Sequence, residues 1–161
     1  MILRLSAKLG KKVHSPPVRV LPVDENPYAD WSAHVFTADR AQYILVSNTV
    51  SLYSLVFFGK GITRDHHLIT RFTTQLREHL DDDGLPFIYE RLIMPETNRV
   101  TIAKSANRSV IGSMNDLVAC AKFLLTEHDF APYDLAGKLN DMPMSHINDS
   151  PMRALRKLSP V

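Results

Sequence analysis

The apolar positions change period several times along this chain, and each change predicts an element. Trp31, Ala33 and Val35 alternate with Ser32, His34 and Phe36, the period-two spacing of a strand with a buried face. Thr37–Arg40 reads as a turn, Tyr43–Val46 as a second strand, Asn48-Thr49 as a second turn and Leu52–Phe58 as a third strand. Connections this short make neighbours antiparallel, because a parallel crossover needs about a dozen residues or more. A three-stranded meander follows.

Beyond Gly59 and Gly61 the spacing becomes helical. Leu68, Ile69, Phe72, Leu76 and Leu80 form one stripe, with Thr63 as the expected cap. The helix is expected to end before Asp81-Asp82-Asp83, since acids oppose the macrodipole at a C-terminus, and Gly84 turns the chain. Phe87–Ile93 and Arg99–Ala103 read as a further strand pair around Pro95–Asn98. Ser113, with Asp116 three residues on, reads as the start of a second long helix to about Thr126, burying Leu117, Cys120, Ala121 and Leu124. Pro132 opens another helix to about Asn140, and Ser150-Pro151 begins a short basic one.

The opening residues allow two readings. Met1–Leu5 can be a strand followed by a Ser6-capped helical turn, or Ile2, Leu5, Leu9 and Val13 can share one face of a continuous helix. Ser15-Pro16-Pro17 stops either, and Pro22 and Pro27 keep the chain extended to Tyr28. Strands and helices are segregated, so the expected fold is α+β. An antiparallel sheet, the meander plus the strand pair, should pack against two long helices and short C-terminal ones.

Composition narrows the class. At 161 residues the chain suits one domain spanning 1–161, and 45% hydrophobic with 22% charged residues is ordinary for a globular protein. Cys120 is the only cysteine, which excludes an internal disulfide and a zinc site with paired thiolates and favours a reducing, cytoplasmic setting. No apolar run approaches the roughly 20 residues of a membrane span. Charge is uneven: residues 1–23 hold Arg4, Lys8, Lys11, Lys12 and Arg19 with no acid, and residues 142–161 hold Arg153, Arg156 and Lys157 against Asp149. The overall net charge is only +2, so the body between these basic ends is acidic.

Motifs with demanding chemistry do not emerge. His66, His67 and His79 share a helix, but at about 100° per residue they cannot converge on one ion. Asp81-Asp82-Asp83-Gly84 lacks the alternate spacing of a calcium loop, so no metal and no cofactor is expected. Cys120 faces the core stripe, Tyr89-Glu90-Arg91 reads as a surface ion pair, and no nucleophile elbow or phosphate-binding glycine loop is present. Catalytic residues stay unassigned. The candidate ligand-binding residues lie at element ends: Arg40 and Asn48 around the second strand, and Lys104, Arg108, Asn115 and Asp116 around the start of the Ser113 helix. An anion could sit there on backbone N–H groups, although Ser113 and Asp116 are also explained by capping.

The segments MILRLSAKLGKK, DWSAHVFTADRAQYILVSNTVSLYS and SVIGSMNDL resemble a small bacterial family defined as a domain of unknown function. The resemblance implies that the basic N-terminus belongs to the domain and is not a removable targeting peptide. Positions it points to are Arg40, Asn48, Ser51, Tyr53, Asn115 and Asp116.

The expected function is a non-enzymatic binding or regulatory module, with nucleic acid or another anion as the first partner to test. Two alternatives stand beside it. One is a small hydrolase or phosphoryl-processing enzyme using His34, Asp39, Arg40, Arg108 and Asp116. The other is a structural subunit that presents the Leu52–Phe58 strand or the first helix to a protein partner.

Overall fold

The computed structural model describes residues 1–159 and builds one mixed sheet in the order β4-β3-β2-β1-β5. The last two positions of the basic segment 142–161 lie outside the described residues. The strands are β1 (Ile2–Leu5), β2 (Asp30–Ala38), β3 (Ala41–Asn48), β4 (Ser54–Phe58) and β5 (Thr101–Lys104). The helices are α1 (Ala7–Lys12), α2 (Asp65–Asp82), α3 (Pro86–Ile88), α4 (Arg108–Glu127), α5 (Pro132–Asp141) and α6 (Pro151–Lys157).

The meander forms as its alternation predicts. β2, β3 and β4 are antiparallel, and Asp39 and Arg40 turn the first hairpin with φ of 44° and 65°. Two positive φ values in succession match the right-handed twist of the flanking strands, the geometry of a primed turn. The expectation of an antiparallel sheet fails on its β5 side. β1 lies between β2 and β5 and runs parallel to both. Residues 6–29 are long enough to carry the chain back for a parallel pairing, and Ser6 caps α1 as a strand-then-helix opening requires.

Three further expectations are corrected. Residues Phe87–Ile93 are helical: α3 continues into a π turn over Tyr89–Ile93 and a 3-10 turn over Met94–Asn98. Pro86 sits in the first turn of α3, where its missing N–H costs nothing, and Ile88, Tyr89 and Ile93 are the residues buried. Tyr89-Glu90-Arg91 therefore does not lie on a strand. The second long helix starts at Arg108, five residues before Ser113. Asn107 caps it by accepting from the N–H groups of Ser109 and Val110, and the Ser113 hydroxyl donates to the Ser109 carbonyl inside the helix. Finally α2 begins at Asp65 rather than at a Thr63 cap, and it runs through Asp81 to Asp82 before Gly84 turns the chain with φ +72°.

Alternation along the strands makes two cores, one on each face of the sheet. On the first face Leu3, Leu5, Trp31, Ala33, Ile44, Val46, Leu55 and Phe57 meet Leu68, Phe72, Leu76 and Leu80 of α2, with α1, α3 and α6 completing the layer. On the second face Phe36, Tyr43, Leu45 and Val56 meet Val110, Met114, Leu117 and Ala121 of α4 and Leu135 and Leu139 of α5. The second core covers only part of its face. Toward β1 the same face turns polar: Ser32 and His34 of β2 lie opposite Ser47 and Leu45 of β3, and Arg4 of β1 lies beside Ser32.

Candidate functional site

The site begins with an ion pair. Arg4 points from β1 to the second face, where its Nε and Nη2 donate to the two carboxylate oxygens of Asp30 at 2.8 and 2.7 Å. Nη1 and Nη2 also donate to the carbonyls of Leu21 and Pro22 at 2.8 and 2.7 Å, and Asp30 accepts from the Asp24 N–H. Both side chains are buried, at 7% and 0% exposure, so a pair without this many partners would be unfavourable. Its consequence is mechanical: the guanidinium pins an extended strap, residues 15–23. The strap's other anchors are the bond from Lys104 N–H to the Arg19 carbonyl and the contact of Pro17 with Gly10, where a Cβ would collide with the proline ring.

Beneath the strap lies a cleft of about 310 Å³, walled by Val20, Leu21, Pro22 and Val23 on one side and Val110, Ile111 and Met114 of α4 on the other. Its floor is Arg4, Ser32 and Thr49, and the last two share a 2.9 Å hydrogen bond. Ser105 and Ile111 also line an inner hollow of about 220 Å³ with Ser6, His34 and Lys104. Ala7 and Pro17 are shared between that hollow and a surface depression holding Lys11 and His14.

Two atoms of residues that line the inner hollow stand out. Ser105 Oγ and His34 Nε2 are screened from solvent and, among the described residues, have no hydrogen-bond partner. Polar atoms in that condition are rare in native proteins, because each forfeits the bond it made to water. Burial also pulls the His34 pKa below its ordinary value, so the imidazole is neutral at pH 7.

A family model described as Domain of unknown function (DUF6933) matches residues 2–154, from β1 into α6. The chain belongs to this family. No curated protein and no solved structure matches it. Membership agrees with the resemblance to a family defined as a domain of unknown function.

That geometry separates the residues that sequence reasoning had grouped. Of the six candidates, Lys104 lines the cleft system. Arg40 sits exposed at the tip of the β2–β3 hairpin, Arg108 in the first turn of α4, and Asn115 and Asp116 on that helix's exposed side. Asn48 is fully buried and holds the next turn together. Its Oδ1 accepts from the N–H groups of Val50 and Ser51 and from the Ser51 hydroxyl, while its Nδ2 donates to the Pro27 carbonyl at 2.8 Å. The helix start expected at Ser113 lies instead at Arg108, so Ser113 stands within the helix and Asn107 occupies its N-terminus. Sequence reasoning missed Arg4, Ser32, Thr49 and Ser105. The one signal for Ser105 was its place in a polar strand-to-helix junction, Lys104 to Arg108.

A second polar cluster closes the opposite edge of the sheet. The Tyr53 hydroxyl donates a short hydrogen bond to Asp83, and Tyr133 donates to Asp82 at 2.6 Å. The Tyr133 ring stacks on His79 at 4.0 Å between centroids. Burial and the neighbouring carboxylates push both tyrosine pKa values far upward. Asn140 completes the closure: its amide accepts from Ser54 N–H at 2.7 Å and donates to Ser54 O at 2.9 Å, as a paired strand would. No helix of the described residues is long and apolar enough to cross a membrane.

Proposed function

We infer that this chain is a non-enzymatic small-molecule-binding module whose site is the cleft between the strap and α4. The observation that carries the reading is the pair of unpartnered, solvent-screened atoms, Ser105 Oγ and His34 Nε2, on two residues that line a hollow adjoining an apolar cleft. Apolar walls with a few convergent polar groups are the usual build of a ligand site, and a ligand supplies the bonds those atoms lack.

Binding is favoured over catalysis by what surrounds the two atoms. No carboxylate lines the cleft or the inner hollow to act as acid or base or to orient His34, and Ser105 and His34 share no hydrogen bond. Among the residues an enzyme reading relied on, Asp39, Arg40, Arg108 and Asp116 stand outside the cleft lining. The nucleic-acid reading loses Arg4 from its basic N-terminal set, because that charge is spent on Asp30.

A fragment screen by two-dimensional NMR on the full chain tests this. Hits should shift the amide signals of Ser105, Ile111 and Met114 together, and Ile111→Trp, which fills the junction of the two hollows, should abolish those shifts. Hits scattered over the surface, or shifts that survive Ile111→Trp, would overturn the reading.

A further inference from the structure

We propose that the cleft takes a free amphipathic monoanion, a small acid with a carboxylate-like head and an apolar body of about a dozen heavy atoms. This rests on the binding-module reading and specifies its ligand. Charge argues first. No Asp or Glu lines the cleft, the inner hollow or the depression beyond it, although the body of the chain is acidic. The charged side chains that do line them are Arg4, Lys104 and Lys11, joined by the imidazoles of His34 and His14. Asp30 neutralises Arg4, which leaves the Lys104 ammonium at the inner hollow, the Lys11 ammonium at the depression beyond it and no net charge at the outer cleft. In a groove with low-dielectric walls, uncompensated charge of one sign draws the opposite sign.

The unneutralised charge is sorted along the same axis. The outer cleft has apolar walls over a floor of Arg4, Ser32 and Thr49 and carries no free charge, while the inner hollow sets Lys104, Ser105 and His34 among apolar neighbours. A carboxylate head in the inner hollow accepts from the Ser105 hydroxyl and the Lys104 ammonium, and from His34 when its proton is on Nε2. The helix dipole is not needed for this, since Asn107 already accepts from the first free N–H groups of α4. Size sets the body. An apolar cavity of about 150 Å³ holds one benzene ring, so the outer cleft of about 310 Å³ holds roughly twice that number of heavy atoms.

The test compares octanoate, octan-1-ol and octylamine, which share a tail and differ in head charge, by NMR titration of the full-length protein. Octanoate should shift Ser105, Ile111 and Met114 and bind roughly tenfold tighter than the alcohol, with the amine weakest. Lys104→Gln should remove most of that tenfold preference by weakening octanoate far more than octanol; Lys104 is exposed, so the variant folds normally. Equal affinity for octanoate and octanol at the cleft would overturn the charge assignment and leave the binding module standing. The same holds if the fragment screen finds cleft ligands and octanoate is not among them. If neither the screen nor the series touches the cleft signals, the binding-module reading falls and takes this inference with it.

Discussion

The sheet ends on β4 at one side and on β5 at the other, and the two edges are protected by different means. An exposed edge strand invites pairing with another chain, so some cover is expected at both. At β4 the cover is a set of fitted side chains: the Asn140 amide on the Ser54 backbone, the Tyr53–Asp83 and Tyr133–Asp82 bonds, and His79 stacked on Tyr133. At β5 the cover is a strap of backbone, joined to the strand by the bond from Lys104 N–H to the Arg19 carbonyl and held from within by Arg4. Each edge contains an imidazole whose Nε2 lacks a partner, His79 at one and His34 at the other. At the β4 edge that atom is enclosed by packing, and its missing bond is a standing cost. At the β5 edge the atom is equally screened, but its residue lines a hollow, and there we read the missing bond as a capacity to hold a ligand.

The largest effect should come from the strap. Arg4→Ala leaves the Asp30 carboxylate buried without its counter-ion and frees the Leu21 and Pro22 carbonyls. Removing one partner of a buried pair costs about 3–5 kcal/mol, which chemical denaturation would read directly. The double variant Arg4→Met, Asp30→Leu should recover most of this loss, because it removes the uncompensated charge. It should still loosen residues 21–23, seen as faster hydrogen exchange there. A stable, unaltered strap in Arg4→Ala would show that the pair is not what holds this edge.

The β4 edge should respond less. Asn140→Ala strips the Ser54 N–H and C=O of their partner in a buried place, at roughly 2–3 kcal/mol. The loss should leave the cleft signals of Ser105 and Ile111 in place. If they moved as well, the two edges would be coupled, and treating them as separate devices would be wrong.

The difference in how these edges are built explains what the sequence could reveal. The meander, α2, α5 and α6 are local, and alternation, helical stripes, first-turn prolines and the Ser150 cap announce them. The β5 edge is made of parts distant in sequence: the 15–23 strap, the second face of β1 and β2, and the β5–α4 junction. It exists because β1 is parallel to both neighbours, a pairing that no short-range pattern specifies. Arg4 shows the difficulty well. Among four other basic residues it reads as part of a charged arm, and only the fold reveals Asp30 beside it. Ser113 misled for the opposite reason, since Ser113 and Asp116 carry a capping spacing that Asn107 pre-empts six residues earlier.

The two imidazoles offer a finer contrast. Burial lowers both pKa values below the ordinary 6.5, and at His79 it outweighs the opposing pull of Asp83, Asp82 and Asp134. As pH falls through 6.5 the unfolded chain takes up protons that the folded histidines refuse. The stabilisation is thus complete above that pH and is lost progressively below it, toward the folded values. His79→Phe keeps the stack on Tyr133 and removes the unpaired nitrogen. It should raise stability by up to about 1 kcal/mol at pH 7 and flatten the acid-side decline, as thermal melts between pH 5 and 8 would show. A destabilised variant would mean that a hidden partner satisfies Nε2 and that the β4 edge is not fully closed.

Ser105→Ala should change stability least of all, within about 0.5 kcal/mol, since the residue is only partly buried and sits beside an open hollow. Its effect belongs to binding. With the hydroxyl gone the head of an anionic ligand loses one donor, so octanoate affinity should fall several-fold while octanol, held by Val110, Ile111 and Met114, is nearly unaffected. Near-neutral stability with a selective loss of affinity is the signature of an unpaired group kept for a ligand. A gain in stability like that expected for His79→Phe, with binding unchanged, would make Ser105 Oγ an ordinary packing defect. The β5 edge would then differ from the β4 edge only in being less well filled.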